Sequence, residues 1–177
     1  MGKKFTKYEK WGDYHWRHYD KGTKYKHHAD FIKRWVTEKK VLDVGAGDGL
    51  ITSLVGAIGI DDELSGIKIA QEKGVDVRLG NAYKLEFGDD EFEAIMMIDV
   101  IEHFEFPEKA LDEAKRVAPV LYIATPIKDI VPGKMDRYHY REWTPEGLVE
   151  FMKSQGYRLD DKIHKRSKTQ YAKFTRI

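Results

Sequence analysis

"VLDVGAGDGL", residues 41–50, begins as an apolar run and ends in three glycines at every second position, Gly45, Gly47 and Gly49. The run predicts a β-strand that passes directly into a tight turn. Glycine in such a turn lets the backbone come close to a ligand, and the N–H groups of a following helix point at it. The stretch therefore predicts a nucleotide-like ligand at the end of the first strand of a sheet.

Short apolar runs alternate with helical patterns after this turn. We predict strands at 41–44, 57–61, 75–79, 93–98 and 120–125, helices over 24–36, 63–74, 107–117 and 144–156, and a terminal hairpin after 156. This alternation is typical of a Rossmann-like α/β fold, a mostly parallel sheet with helices on both faces. The hairpin is expected to be antiparallel, at the edge of the sheet.

The length of 177 residues suits a single domain, with residues 1–38 as an aromatic and basic cap and 40–177 as the ligand-binding core. The chain has no cysteine, which excludes disulfides, thiolate metal sites and a cysteine nucleophile. No apolar run approaches the ~18 residues of a membrane span. We expect a cytoplasmic monomer or homodimer. The charged fraction of 34% and the single Asn are typical of a thermophile.

Charge is distributed unevenly along the chain. Residues 1–40 carry a net charge of +7, residues 41–152 carry −12, and residues 153–177 carry +6. An acidic middle favours a cationic group near the centre of the molecule, and basic ends favour an anionic partner. Ordinary solvated charge on terminal segments explains the same distribution.

The glycine pattern argues against a dinucleotide. A dinucleotide fingerprint has a third Gly or Ala at the position of Leu50, and the acidic Asp43 and Asp48 flank the turn unfavourably for a pyrophosphate. These carboxylates suit a ligand that carries a sulfonium and an ammonium group. Asp61, at the end of the second predicted strand, is placed to accept both hydrogen bonds of a ribose diol.

Five successive segments carry a resemblance to a known family. They are "VLDVGAGDG", "GIDDE", "LGNAYKLEFGDDEFEAIMMIDVIEHF", "PEKALDEAKRV" and "LYIATP". In this order, over about residues 40–157, they resemble the motifs of class I S-adenosyl-L-methionine (SAM)-dependent methyltransferases, closest to the small-molecule and ubiquinone-type branch. The resemblance implies a seven-stranded sheet with a reversed last strand, SAM as methyl donor and S-adenosyl-L-homocysteine (SAH) as product. The chain departs from it in a clipped first helix and in lacking the usual glycine pair before the fifth strand.

The resemblance also implies a set of cofactor-binding residues. Asp43, Gly45, Gly47 and Gly49 would line the methionine part of SAM, Asp61 would bind the ribose, Asp62, Asn81 and Ala82 would meet the adenine, and Asp99 and Val100 would lie beneath the sulfonium. The family usually has Asp where Asn81 stands, and an Asn still offers a carbonyl acceptor.

Two histidines are candidates for a general base, which methyl transfer needs when the acceptor must lose a proton. His103 is expected at the start of the helix after the fourth strand, and His139 lies in the 126–143 loop expected to cover the pocket. An unperturbed histidine titrates near ~6.5, which suits this role. A structural hydrogen bond is the alternative role for each.

A metal site is the alternative to a metal-free mechanism. Asp99, Glu102 and His103 would share one face of a helix. Similar stretches in some ubiquinone-pathway and small-RNA 2′-O-methyltransferases hold magnesium, with a later histidine as a further ligand, a position that His139 would fill. Oxygen-rich ligation would suit magnesium.

The acceptor is predicted to be a small molecule with an oxygen, nitrogen or carboxylate nucleophile. Tyr14, His15, Tyr19 and Tyr140 are the residues expected to form a lid over SAM and acceptor. The alternative is an RNA-directed or other macromolecule-directed methyltransferase, or a SAM-binding module, that uses the basic ends to grip phosphates. That alternative requires the two basic ends to lie together in the fold.

Overall fold

A computed structural model describes residues 7–128 and 135–177, and part of the predicted 126–143 loop therefore lies outside the described residues. Within these ranges eight strands form one sheet, in the order β3-β2-β1-β4-β5-β8-β6, with β7 paired to β8. The strands are β1 Val41–Val44, β2 Ile58–Asp61, β3 Val77–Leu79, β4 Ala94–Ile98, β5 Val120–Pro126, β6 Tyr157–Leu159, β7 His164–Arg166 and β8 Thr169–Arg176.

Strands β1 to β5 are parallel to one another, and β8 runs antiparallel to both β5 and β6. The predicted Rossmann-like α/β fold and the reversed last strand are confirmed. Seven strands form the main row, as the resemblance implied, and the short β7 is additional. The C-terminal hairpin is β7–β8, and its long strand β8 lies between β5 and β6.

Seven α-helices surround the sheet in the described residues. They are α1 Lys7–Trp11, α2 Tyr14–Asp20, α3 Lys24–Trp35, α4 Leu50–Val55, α5 Leu64–Glu72, α6 Pro107–Val117 and α7 Pro145–Ser154. Thr144 caps α7 as expected, since its side chain accepts the Gly147 N–H, and Gly156 follows the C-cap residue Gln155. Within the same ranges, every helix is too short or too polar to cross a membrane.

The sheet has an apolar core on each face because alternate residues of a strand point to opposite sides. On one face Leu42, Ile95 and Leu121 pack with α6 and α7. On the other face Val41, Met96 and Tyr122 pack with α3 and α4. Coverage on both faces explains why β4 is apolar throughout. It also leaves the carboxyl ends of the parallel strands as the place where polar side chains collect.

Candidate functional site

A cavity of about 570 Å³ lies at the carboxyl ends of β1, β2, β4 and β5. Open α/β sheets bind ligands at this edge, and the volume is within the ordinary range for small-molecule sites. Ten of the residues that line it were singled out from the sequence: Tyr14, His15, Asp43, Gly45, Asp61, Asp62, Asn81, Ala82, Asp99 and Val100. The other predicted residues in the wall are Asp48, Glu102, His103 and His139.

The glycine turn forms the floor of the cavity at Gly45. The Gly45 and Ala46 N–H groups both donate to the Ile60 carbonyl, which fixes the turn against β2. Gly45 has a φ of +81°, and a Cβ added there would lie 2.3 Å from Cγ2 of Val100. No side chain other than hydrogen fits between the turn and Val100. Gly47 and Gly49, also predicted to line the ligand, lie behind the wall, where Gly47 contacts Tyr8 and Gly49 caps α4.

Asp61 ends β2 with its carboxylate at the cavity wall. Its Oδ2 accepts the Gly47 N–H at 2.7 Å and its Oδ1 accepts the Glu63 N–H at 2.8 Å. Burial raises the pKa of Asp61 to about 6 despite these two hydrogen bonds. Each carboxylate oxygen has two lone pairs, so both oxygens keep acceptor capacity for a ligand.

Two further carboxylates are buried next to the turn. Asp43 Oδ2 accepts the Thr52 hydroxyl at 2.7 Å. Asp48 Oδ1 lies 3.1 Å from Nδ1 of His15, and Asp48 Oδ2 has no hydrogen-bond partner in the part of the chain that the structure describes. A buried carboxylate oxygen without a donor is costly, so this oxygen is suited to a cationic ligand group.

Replacement of Asp43 by asparagine is expected to stabilise the ligand-free protein at alkaline pH. Burial raises the pKa of Asp43 to about 7, from 3.8, and the folded state therefore binds a proton more tightly than the unfolded state. Stability from this group is present at low pH and is lost as the pH rises through about 7. We expect Asp43→Asn to raise the free energy of unfolding by about 1–3 kcal/mol at pH 8, with a clearly smaller gain at pH 5. Urea denaturation at both pH values measures this, and an equal gain at both would contradict it.

The residues predicted to meet the adenine line the cavity just after β2 and β3. Asn81 Oδ1 accepts the Tyr83 N–H at 2.9 Å, so the carbonyl expected to serve the ligand already closes a turn. A second lone pair remains on this oxygen. The sequence prediction did not include this internal hydrogen bond.

Asp99 has an unusual backbone, with a φ of +52°, at the point where β4 ends. Its Oδ2 lies 3.4 Å from Nε2 of His28, and His28 Nδ1 lies 2.8 Å from the Tyr171 hydroxyl. A non-glycine residue in this region of backbone space carries strain, which is common at functional sites. The Asp99 carboxylate faces His28 of the N-terminal segment, and its charge also acts on Glu102 and His103.

Glu102, His103 and His139 form a compact group at the cavity wall, with one potential ligand atom of each within 4.8 Å of the others. The Thr125 hydroxyl donates to Glu102 at 2.9 Å, and burial raises the pKa of the Glu102 carboxyl, with the charge of Asp99 adding to the effect. His103 ends a single 3-10 turn, Ile101–His103, whereas the sequence placed it at the start of the following helix. That helix begins at Pro107 because Pro suits a first turn.

The two imidazoles are fixed in orientation by their Nδ1 atoms. His103 Nδ1 lies 3.1 Å from the Tyr138 carbonyl oxygen, and His139 Nδ1 lies 2.6 Å from Glu142 Oε1. A carbonyl only accepts, so His103 Nδ1 carries a proton and the lone pair of the neutral ring is on Nε2. Burial lowers the pKa of His103, which favours the neutral ring.

The group differs from the metal set expected from the sequence. Asp99, Glu102 and His103 were expected on one helical face, but Asp99 precedes the 3-10 turn and pairs with His28. Among the described residues, His139 lies beside Glu102 and His103 in the position expected for Asp99. The 139–143 segment reaches the site because the Tyr140 N–H donates to the Glu102 carbonyl at 2.8 Å.

The N-terminal segment predicted as a cap contributes some of its aromatic residues to the cavity wall. Tyr14 and His15 line the wall, and the His15 ring stacks on Tyr25 with centroids 4.6 Å apart. Tyr19, predicted as a lid residue, donates to Asp30 and lies outside the wall, because it packs along α3. Tyr140, also predicted as a lid residue, does not line the wall either, since its N–H binds the Glu102 carbonyl behind the site.

Sequence reasoning missed several residues of the wall, among them Tyr8, Tyr25 and Glu63. Tyr8 is buried against Gly47 and Gly66, Tyr25 lies beside His15, and Glu63 caps α5. Tyr8 and Tyr25 are among the aromatic residues of the 1–38 segment, and this richness in aromatic residues was the sequence signal that could have identified them. Nothing in their spacing distinguished them from Tyr19.

Comparison with protein families finds a match to a family described as "Methyltransferase domain", over residues 42–119. A protein of Methanocaldococcus jannaschii is 32% identical over 111 residues, 62% of this chain and 51% of that protein. "Probable tRNA methyltransferase 9B" of Mus musculus is 34% identical over 97 residues, 51% of this chain and 22% of that protein. The chain therefore spans about half the length of the first relative and less than a quarter of the second.

Among solved structures, a SAM-dependent methyltransferase of Thermotoga maritima superposes with a TM-score of 0.77 at 20% identity, covering 97% of this chain and 96% of that one. At this identity the likeness concerns the fold. It extends over the N-terminal cap and the C-terminal hairpin as well as the residues matched by the family.

Proposed function

We propose that the chain is a class I SAM-dependent methyltransferase, which uses SAM as cofactor, transfers its methyl group to an oxygen, nitrogen or carboxylate acceptor and releases SAH. The observation that carries this proposal is the cavity at the carboxyl ends of the strands, where the glycine turn meets buried carboxylates. The Glu102, His103 and His139 group lines the same cavity, which places potential acid–base groups beside the ligand.

The polar atoms of the wall fit the cofactor. The bare Cα of Gly45 gives the close approach that a bulkier residue would block. Asp61 has acceptor capacity for a ribose diol, and the unsatisfied Oδ2 of Asp48 matches an ammonium group. We assign Asp62, Asn81 and Ala82 to the adenine and Asp99 with Val100 to the sulfonium end, as the resemblance implies.

When bound, SAM supplies a methyl group on a positively charged sulfur, ready for in-line displacement. The work left to the chain is alignment, a proximity contribution of up to about 7–11 kcal/mol in favourable cases. We assign Tyr14 and His15, which line the wall, to covering the bound cofactor and excluding water. His103 Nε2 is the atom we assign to accept the proton of the acceptor, because its Nδ1 proton is already held by the Tyr138 carbonyl.

A metal-assisted version of the reaction is the alternative. Two imidazole nitrogens and one carboxylate, from His103, His139 and Glu102, suit zinc, iron or manganese better than magnesium, which prefers oxygen ligands. The magnesium expectation rested on Asp99, which lies outside this group. A bound metal there would hold an acceptor oxygen and lower its pKa.

The small-molecule acceptor predicted from the sequence is supported by the cavity, whose volume of about 570 Å³ is within the ordinary range for small-molecule sites. An RNA acceptor is the second candidate, and two observations favour it. A relative more than 30% identical is named as a tRNA methyltransferase. In addition, the two basic ends of the chain lie together, the condition that the alternative required, since Arg166 of β7 lies over the ring of Phe31 in α3.

Transfer of label from methyl-tritiated SAM tests the proposal. The purified protein is incubated with an extract separated into small metabolites, RNA and protein, and His103→Asn serves as the inactive control. We expect label in one fraction and a loss of that label with the variant. Label among metabolites supports the small-molecule acceptor, and label in acid-precipitable RNA supports the second candidate. The absence of label from every fraction would contradict methyl transfer.

A further inference from the structure

We propose that α3 and the β7–β8 hairpin form one RNA-binding surface beside the cavity, which binds the phosphates of an RNA acceptor. The surface is named here the α3–hairpin surface and consists of Lys24, His27, Arg34, Arg166 and Lys168. The inference rests on the RNA candidate of the proposed function and names the residues that would hold that acceptor.

The α3 part of the surface is a single stripe. Lys24, His27 and Arg34 are spaced by three and seven residues, with Phe31 between them, so they share one side of the helix. The opposite side is buried, with Ala29 and Ile32 in the core. Lys24, His27 and Arg34 are exposed.

The hairpin part of the surface contacts this stripe directly. The Arg166 guanidinium lies 4.2 Å from the centre of the Phe31 ring, and the His164 ring centre lies 6.0 Å from the same ring. Residues 164 and 166 point to the α3 side because alternate residues of a strand share a face. The two ends of the chain, each strongly basic in sequence, therefore contribute to one surface.

The α3–hairpin surface borders the cavity. The Lys168 carbonyl accepts the Ile127 N–H at 2.8 Å, and the preceding residue, Pro126, lines the cavity. On the α3 side, Tyr25 also lines the cavity and lies next to His28, with ring centres 5.5 Å apart. An RNA strand held on this surface therefore has its backbone close to the cavity.

The charges of this surface are available to a partner. Lys24, Arg34, Arg166 and Lys168 form no ion pair within the described residues, whereas Lys26 of α3 pairs with Asp30. The cavity itself is acidic, with Asp43, Asp48 and Asp61 in its wall. A phosphate backbone is thus attracted to the α3–hairpin surface and repelled from the cofactor site.

Charge reversal tests the surface. We expect Lys24→Glu/Lys168→Glu to weaken binding of unfractionated tRNA about 10-fold or more in fluorescence anisotropy, and to reduce the slope of log affinity against log salt by about 1–2. The matched control is Lys109→Glu/Lys153→Glu, which makes the same charge change on exposed positions of α6 and α7, over the opposite face of the sheet. The control is expected to change binding less than 3-fold.

SAH binding, measured in parallel by calorimetry, separates this inference from the proposed function. The surface residues lie outside the wall, so both double variants should bind SAH as the parent does. Equal weakening of tRNA binding by both variants would overturn the α3–hairpin surface, and so would an absence of tRNA binding by a parent protein that binds SAH. Failure of the parent protein to bind SAH would instead overturn the proposed function.

Discussion

Replacement of Gly45 by alanine is expected to weaken SAH binding by about 100-fold. A Cβ at this position would lie 2.3 Å from Cγ2 and 2.8 Å from Cβ of Val100, both closer than real contacts. Either the turn or Val100 must move, and both line the cavity. Overpacking of this kind costs about 1–3 kcal/mol and each 1.4 kcal/mol is tenfold in affinity. Titration calorimetry with SAH measures the change.

Gly56→Ala is the matched control for this variant. Gly56 has a φ of +79°, almost the value of +81° at Gly45, but a Cβ added there meets no atom within 4 Å. Both variants therefore carry the same backbone strain, of about 1–2 kcal/mol, and differ in the clash. We expect Gly56→Ala to bind SAH normally, and Val100→Ala to restore part of the affinity of Gly45→Ala. Equal SAH binding by the two glycine variants would contradict the role of the glycine turn.

Replacement of His103 by asparagine is expected to lower kcat/KM for methyl transfer by about 10²–10⁴-fold, the usual contribution of a general base. The substituted amide still donates to the Tyr138 carbonyl, which preserves the local hydrogen bond, but it has no basic nitrogen. SAH affinity should change less than 3-fold. Stopped assays with the labelled acceptor fraction measure the rate, and His18→Asn, at an exposed position of α2, is the control.

The pH dependence of methyl transfer tests the same role of His103 as the base. Burial lowers the pKa of His103 below its ordinary value of 6.5, and the neutral ring is the base. Activity should therefore be present at neutral pH and be lost as the pH falls through a midpoint below 6.5. The variant should lack this acidic limb. An unchanged limb in the variant, or full activity at neutral pH, would show that His103 is not the base.

The fold was largely predictable because its signals are local. The strands β4 and β5 are apolar runs bounded by turn residues, and β1 has the predicted bounds. The helix α3 ends at Trp35, one residue before the predicted end. The position of β8 between β5 and β6 was less accessible, because strand order depends on long-range pairing that no local pattern carries.

The site was predictable where one short segment carries several of its residues. Asp43 and Gly45 share the first turn, and both line the cavity. The Glu102, His103 and His139 group was harder, because it joins residues more than 30 positions apart and excludes Asp99, which a helical spacing had included. Tyr19 and Tyr25 are both aromatic residues of the N-terminal segment, and the sequence does not distinguish them. The packing of α3 places Tyr25, and not Tyr19, at the cavity wall.

The most direct measurement is a crystal structure of the protein grown with SAH. We predict that the ribose hydroxyls lie within hydrogen-bond distance of Asp61, that the amino group lies within hydrogen-bond distance of Asp48, and that the sulfur lies at the side of the cavity lined by Asp99 and His103. SAH bound elsewhere, or a crystal that holds no SAH at a concentration saturating in calorimetry, would contradict the assignment of this cavity as the methyl-transfer site.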